Sequence, residues 1–101
     1  MVRGFRKVTW DKTASESFRT AINYIRQDSI KNAEKVKLEL ITNIKALSVH
    51  PEKYPSDKYK LNNDGSYRAF ELHHYRVTYR ILQTGIRVIA VRHTSMEPKD
   101  Y

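Results

Sequence analysis

The sequence has 101 residues, and 40% of them are hydrophobic, which suits one modest core and a single domain over residues 1–101. It contains no cysteine, so disulfides and thiolate metal sites are excluded. No window has the apolar run of a membrane span, and the first ten residues lack the apolar core of a signal peptide. We therefore expect a cytoplasmic protein that has no membrane contact and needs no cofactor or metal.

Positive charge dominates the composition. Lysine and arginine number 19 against 11 acidic residues, a net charge of +8, which attracts polyanions or an acidic partner protein. From Arg68 to His93 the sequence holds five arginines and three histidines but one acid, Glu71. The planar fork of arginine binds phosphate through two hydrogen bonds, so this bias favours anion recognition over simple solubility.

The first predicted elements are a strand and a helix. FRKVTW (5–10) is a short strand candidate. Asp11 or Thr13 then begins a helix, and Thr13 with Glu16 fits a capping box. The helix continues to about Arg26, because apolar residues recur at spacings of three and four at Ala14, Phe18, Ile22 and Ile25.

A second helix follows after a short break. Asp28 or Ser29 can cap it, and Pro51 stops the pattern. Its apolar stripe consists of Ala33, Val36, Leu40, Ile44 and Leu47. Two amphipathic helices joined by so short a break predict a helical hairpin.

The rest of the sequence predicts a loop and three strands. Residues 51–66 are loop-like and carry lysines at 53, 58 and 60. The strands are expected at 67–72, 75–82 and 86–93, with tight turns at His73-His74 and Gln83-Thr84-Gly85. The last strand is apolar on both faces, which is typical of a central strand. The order β-α-α-β-β-β predicts an α+β fold, with the helical hairpin packed on one face of a small, curved, mainly antiparallel sheet.

Alternation along 75–82 separates two faces. One face carries Tyr75, Val77 and Tyr79, which we assign to the helices. Arg76 and Arg80 then emerge on the open face, near Arg92 and His93 at the end of the neighbouring strand. Such a basic surface could hold a phosphodiester and offer His93 as an acid or base. The alternative is a solvated sheet face on which the arginines serve solubility.

The chain resembles the RelE/ParE superfamily, the toxins of type II toxin–antitoxin (plasmid stabilization) systems. The segment YRVTYRI (75–81) resembles the family's YR-hydrophobic-x-Y pattern, and IRVIAVRH (86–93) follows it at the family's distance and ends in its frequent histidine. The two preceding helices, the loop ending near Tyr67-Arg68 and the length also fit. The resemblance implies the β-α-α-β-β-β fold and an acidic antitoxin as partner.

The resemblance implies two alternative activities. RelE-like members cut mRNA in the ribosome without a metal, and ParE-like members poison DNA gyrase. For RNA cleavage, Arg76 matches the arginine near the scissile phosphate, Asp57 or His93 would be the base, Lys60 would stabilise charge, and His93 or Tyr101 would be the acid. Residues implied in binding nucleic acid or antitoxin are Lys58, Arg68, Arg80 and Arg92.

Neither branch is matched throughout. After the last strand, TSMEP (94–98) stands where RelE-like nucleases usually carry further arginine or tyrosine. ParE-like members commonly have a histidine followed by a basic residue; His93 meets the first part and Ser95-Met96 does not meet the second. Three functions stay open: a ribosome-dependent endoribonuclease, a gyrase poison, and a non-toxic basic binding module or decayed toxin that acts only with its partner.

Overall fold

The structure is a computed structural model, and it describes residues 6–96 and 98–101. Its elements follow the order β-α-α-β-β-β, as predicted. They are β1 (Lys7–Trp10), α1 (Lys12–Asp28), α2 (Ile30–Ala46), β2 (Tyr67–Leu72), β3 (Tyr75–Leu82) and β4 (Gly85–His93). Phe5, where the first strand was predicted to begin, lies outside the described residues. None of the helices in the described part is long and apolar enough to cross a membrane.

The four strands form one mixed sheet in the order β1-β4-β3-β2. β2, β3 and β4 are antiparallel neighbours, and β1 pairs in parallel with β4. The prediction that the last strand is central is confirmed, since β4 lies between β1 and β3. A register shift between Thr78 and Tyr79 marks a β-bulge, where β4 contributes the extra residue, Ile89.

The helix starts differ in part from the prediction. The Thr13–Glu16 capping box is wrong, because Thr13 lies inside α1 and Asp11 is the N-cap. The Asp11 side chain makes no cap hydrogen bond; its carboxylate accepts one from Arg87 Nε at 2.5 Å. Ser29 does cap α2, accepting a hydrogen bond from the backbone N–H of Asn32 at 3.0 Å.

The core lies between the helical hairpin and one face of the sheet. The helices contact each other, and α1 packs on β4. The predicted stripes of both helices meet Tyr75, Val77 and Tyr79, whose side chains are buried as expected. The largest fully buried side chains are Tyr79, Leu40, Ile44, Leu47, Ile86, Val77 and Val88. Neither helix of the described residues packs on the opposite face of the sheet, which is called the open face below.

Two turns fix the register of the three antiparallel strands. His73 and His74 form the two-residue turn between β2 and β3 with φ of 53° and 68°, the left-handed conformation of a type I′ hairpin turn. The second turn is shorter than predicted, because Gly85 already belongs to β4, opposite Lys7 of β1. A Cβ at Gly85 would run into the carbonyl oxygen of Lys7, so glycine permits the close approach of β1.

Candidate functional site

Four arginines of β3 and β4 lie opposite one another on the open face. The register pairs Arg76 with Arg92 and Arg80 with Arg87. Like charges directly opposite each other repel, so each pair needs compensation. Arg87 receives it from Asp11 at 2.5 Å, and Arg76 receives it from two carboxylates. The open face is therefore a basic surface with acids placed against individual arginines.

The most highly connected cluster of the open face consists of Asp57, Arg76 and Tyr101. Arg76 Nη2 donates to Asp57 Oδ1 at 2.7 Å, and Tyr101 Oη donates to Asp57 Oδ2 at 2.6 Å. The backbone N–H of Tyr59 adds a third hydrogen bond to Oδ1 at 3.1 Å. Asp57 is only 3% exposed, so this carboxylate depends on these three donors. Arg76 also donates to Glu71 Oε2 at 2.9 Å.

These contacts fix the protonation states of the cluster. Burial alone would raise the pKa of Asp57, but the hydrogen bonds from Tyr101, Tyr59 and Arg76 outweigh it and leave the pKa below its usual value. Burial, together with the bond to Asp57, holds the pKa of the Tyr101 phenol far above its ordinary range. Burial disfavours the charge of Arg76, yet its two carboxylate partners raise its pKa. At neutral pH the cluster is an ionised aspartate, a charged guanidinium and a neutral phenol.

The two predicted loop lysines lie beside this cluster. Lys60 Nζ donates to the carbonyl oxygens of Leu61 at 3.1 Å and Tyr101 at 3.2 Å. It also lies over the rings of Tyr67 and Tyr101, 4.9 and 5.3 Å from their centroids. Lys58 lies over the Tyr59 ring at 5.3 Å. The ammonium groups of both lysines thus lie over tyrosine rings at the edge of the open face.

Arg68 and Arg80, predicted to bind nucleic acid or antitoxin, lie in different places. Arg68 pairs with Tyr79 in the register, so it shares the helix-covered face, and it donates to the carbonyl oxygens of Tyr54 at 2.7 Å and Gly65 at 3.2 Å. Arg68 therefore ties the loop to the sheet. Arg80 is on the open face, 4.7 Å above the Tyr67 ring.

His93 lies at the end of β4, as predicted, but the register pairs it with Tyr75, so its side chain lies on the helix-covered face. The prediction that it joins Arg76 and Arg80 on the open face is therefore wrong. The backbone N–H of Ser95 donates to His93 Nδ1 at 3.0 Å, so Nδ1 is an acceptor and the neutral ring carries its proton on Nε2. The ring packs edge-on against Tyr75 at 5.0 Å and lies 6.3 Å from the ring of His74. Nothing in these contacts binds His93 to Asp57 or Tyr101.

A cleft of about 450 Å³ joins these groups on the open face. Its floor includes Thr78, Ile89 and Ala90; the segment 98–101 forms one wall, and Arg92 and His93 form another. Asp57 and Arg76 also line it. The structure thus brings Asp57, Arg76 and Tyr101 into contact, with Lys60 beside Tyr101 and Arg92 directly opposite Arg76 in the sheet. Lys58 stays at the rim. No group of three or more His, Asp or Glu side chains suited to a metal occurs within residues 6–96 and 98–101.

Two members of the site were missed by sequence reasoning. Glu71 was noted only as an isolated acid, although a two-residue turn at His73-His74 places it directly opposite Arg76. That register was available from the sequence. Tyr59 stacks on the guanidinium of Arg76 at 5.0 Å and holds Asp57 through its backbone, and no periodic signal in the loop indicates this.

Comparison with known proteins identifies a family and solved structures of the same fold. A sequence profile described as "ParE toxin of type II toxin-antitoxin system, parDE" matches residues 8–98. No curated protein is significantly similar in sequence. A structure of the chromosomal ParDE toxin–antitoxin system from P. aeruginosa matches with a TM-score of 0.69 at 13% identity, covering 88% of this chain and 96% of that one.

Two structures from Staphylococcus aureus share the fold as well. The YoeB dimer matches with a TM-score of 0.57 at 16% identity, covering 87% of this chain and 95% of that one. The YoeB–YefM complex matches with a TM-score of 0.55 at 16% identity, with coverage of 87% and 95%. At these identities the structures support the shared fold, and the profile supports the family.

Proposed function

The chain belongs to the ParE toxin family of type II toxin–antitoxin systems, and from this premise we propose that it stops growth by binding DNA gyrase rather than by cutting mRNA. The observation that carries the proposal is the state of the Asp57–Arg76–Tyr101 cluster. Every group that RNA cleavage would draw on there is already held by another group of the protein.

Metal-free RNA cleavage needs a base for the 2′-hydroxyl, a cation for the phosphate and an acid for the leaving oxygen. Asp57 is buried, and hydrogen bonds to both of its oxygens hold its pKa below the usual value, so it is a weak base. Arg76 is neutralised by two carboxylates. A phenol whose pKa is raised by burial and by Asp57 is a weak acid at neutral pH. This set of contacts favours a binding surface over a nuclease centre.

Ribosome-dependent RNA cleavage remains the second candidate because of the other side of the cleft. Arg92 and Lys99 line it, so a phosphate in the cleft would meet two cations. The His93 ring packs against Tyr75 on the helix-covered face, so it would have to turn toward the cleft to act as the acid of the reaction.

We also propose that an acidic antitoxin binds this protein and inhibits it. The net charge of +8 and the basic open face favour a negatively charged segment that orders on binding. The YoeB–YefM structure is a complex formed on the same fold. Arg80, Arg92 and Lys58 are the residues we assign to this contact.

The deciding experiment compares two readouts after brief induction in a bacterial host. RNA 5′ ends are mapped with and without a translation inhibitor, and gyrase-linked DNA breaks are measured in the same cells. We expect growth arrest with DNA breaks and no new RNA ends. New translation-dependent ends inside coding frames would overturn the proposal and make His93→Ala the next variant. Growth arrest with neither DNA breaks nor new RNA ends would also overturn it. Soluble protein without growth arrest would favour the third function, a decayed toxin that acts only with its partner.

A further inference from the structure

We propose that residues 98–101 form a latch that narrows the open-face cleft and limits access to Arg76. The proposal rests on the proposed function only in naming the open face as the binding surface. The latch itself is a property of the isolated chain, and it adds a regulatory step to that surface.

The latch is held by its backbone and by one side chain. The N–H of Tyr101 donates to the carbonyl oxygen of Tyr59 at 3.0 Å, and the N–H of Leu61 donates to the carbonyl oxygen of Tyr101 at 2.7 Å. These two bonds join residue 101 to a turn, since neither 59–61 nor 98–101 is a strand. The phenol then reaches Asp57 at 2.6 Å, and Lys60 Nζ donates to the Tyr101 carbonyl oxygen at 3.2 Å. Four hydrogen bonds therefore converge on one residue of the latch.

The side-chain anchor is the strongest of these contacts, because its acceptor is a buried carboxylate. Hydrogen bonds to charged groups contribute more than neutral ones, and Asp57 is 3% exposed. The Tyr101 ring is itself 41% exposed and rests edge-on against Tyr67 at 5.9 Å. An anchor with an exposed ring and a buried hydroxyl contact can be released without opening the core.

Release of the latch would open the cleft on one side. The cleft would lose the lining formed by residues 98–101, which would widen access to Arg76, now 18% exposed. Asp57 would lose the phenol but keep its bonds to Arg76 and the backbone of Tyr59. The latch thus limits how far a ligand can reach the guanidinium of Arg76.

Tyr101→Phe tests the latch because it removes only the hydroxyl and keeps the ring on Tyr67. The matched control is Tyr54→Phe, which removes a tyrosyl hydrogen bond to Asn43 Oδ1 (3.0 Å) away from the cleft. Two readouts on the isolated protein are amide hydrogen exchange at Leu61, and modification of Arg76 by phenylglyoxal located by peptide mass spectrometry. Arg26, an exposed arginine on α1, serves as the internal reference for modification.

We expect Tyr101→Phe to speed Leu61 exchange by about tenfold or more and Arg76 modification by several-fold, with Arg26 unchanged. Tyr54→Phe should change neither. Unchanged Leu61 exchange in Tyr101→Phe would overturn the latch. Faster exchange with unchanged Arg76 modification would show that the latch opens without gating the cleft, which overturns the regulatory step. Because neither readout involves gyrase or RNA, failure of the latch and failure of the proposed function are separable.

Discussion

Replacing Arg76 by methionine gives the sharpest test of the Asp57–Arg76 pair. The variant keeps an unbranched side chain of similar length and removes the cation 2.7 Å from a carboxylate whose side chain is 1% exposed. Removing one partner of a buried pair costs about 3–5 kcal/mol. Tyr101 and Tyr59 remain on Asp57, so we expect the low end of that range, about 3 kcal/mol at pH 7.

The assay is urea unfolding followed by the fluorescence of Trp10. With a urea dependence of about 2 kcal/mol/M, the expected loss moves the midpoint down by about 1.5 M. The matched control is Arg26→Met, which breaks the exposed Arg26–Glu34 pair and should cost less than about 1 kcal/mol. Combining Arg76→Met with Asp57→Asn should cost clearly less than the sum of the two single changes, because each single change leaves the other group unpaired.

The sign of the pH dependence follows from the direction of the Asp57 shift. The pKa of Asp57 in the folded protein lies below its ordinary value of 3.8, so the ionised carboxylate stabilises the fold above pH 3.8. That stability is lost as the pH falls from 3.8 through the folded pKa. The penalty of Arg76→Met should therefore shrink in the same acid range. A loss below about 1 kcal/mol at pH 7, or strict additivity in the double variant, would refute the reasoning.

Three further predictions concern the backbone and the core. Gly85→Ala should destabilise the protein by more than about 1 kcal/mol, because the added Cβ meets the Lys7 carbonyl oxygen; an unchanged thermal midpoint would contradict this. His74→Gly should stabilise it by about 1 kcal/mol by relieving a left-handed residue (φ 68°), and a lowered thermal midpoint would count against that reading. Tyr79→Phe removes the hydrogen bond to the Pro51 carbonyl oxygen (2.8 Å) and should cost about 1 kcal/mol in urea unfolding, whereas no change would mean that the bond contributes nothing.

The spacing of apolar residues predicted the fold well, because residues that face the core recur at the period of their helix or strand. Successive residues of 75–82 alternate between the helix-covered face and the open face. The burial of Tyr75 and Tyr79, and the position of Arg76 on the open face, therefore followed from spacing alone. The capping box failed for a reason that spacing cannot reveal. Asp11 bonds Arg87, 76 residues away, and a local motif cannot anticipate a partner that only the closed sheet brings near.

The site was predictable only where it lies on regular structure. Glu71 faces Arg76 because the hairpin register requires it. Asp57 and Tyr101 are 44 residues apart and both lie outside the helices and strands, so no repeating pattern places them together. Their contact depends on how the loop and the segment 98–101 cross the open face. Whether the named residues bind nucleic acid, gyrase or antitoxin stays a prediction.

The parallel pairing of β1 with β4 has a consequence for synthesis on the ribosome. Residues 7–10 are translated early, yet their partners in the sheet are residues 85–88. Until those residues emerge from the exit tunnel, the nascent chain can form its helical hairpin but cannot close the sheet. Long sequence separations between contacts also slow folding. The sheet thus stays open, and the fold incomplete, until residues 85–88 have left the exit tunnel.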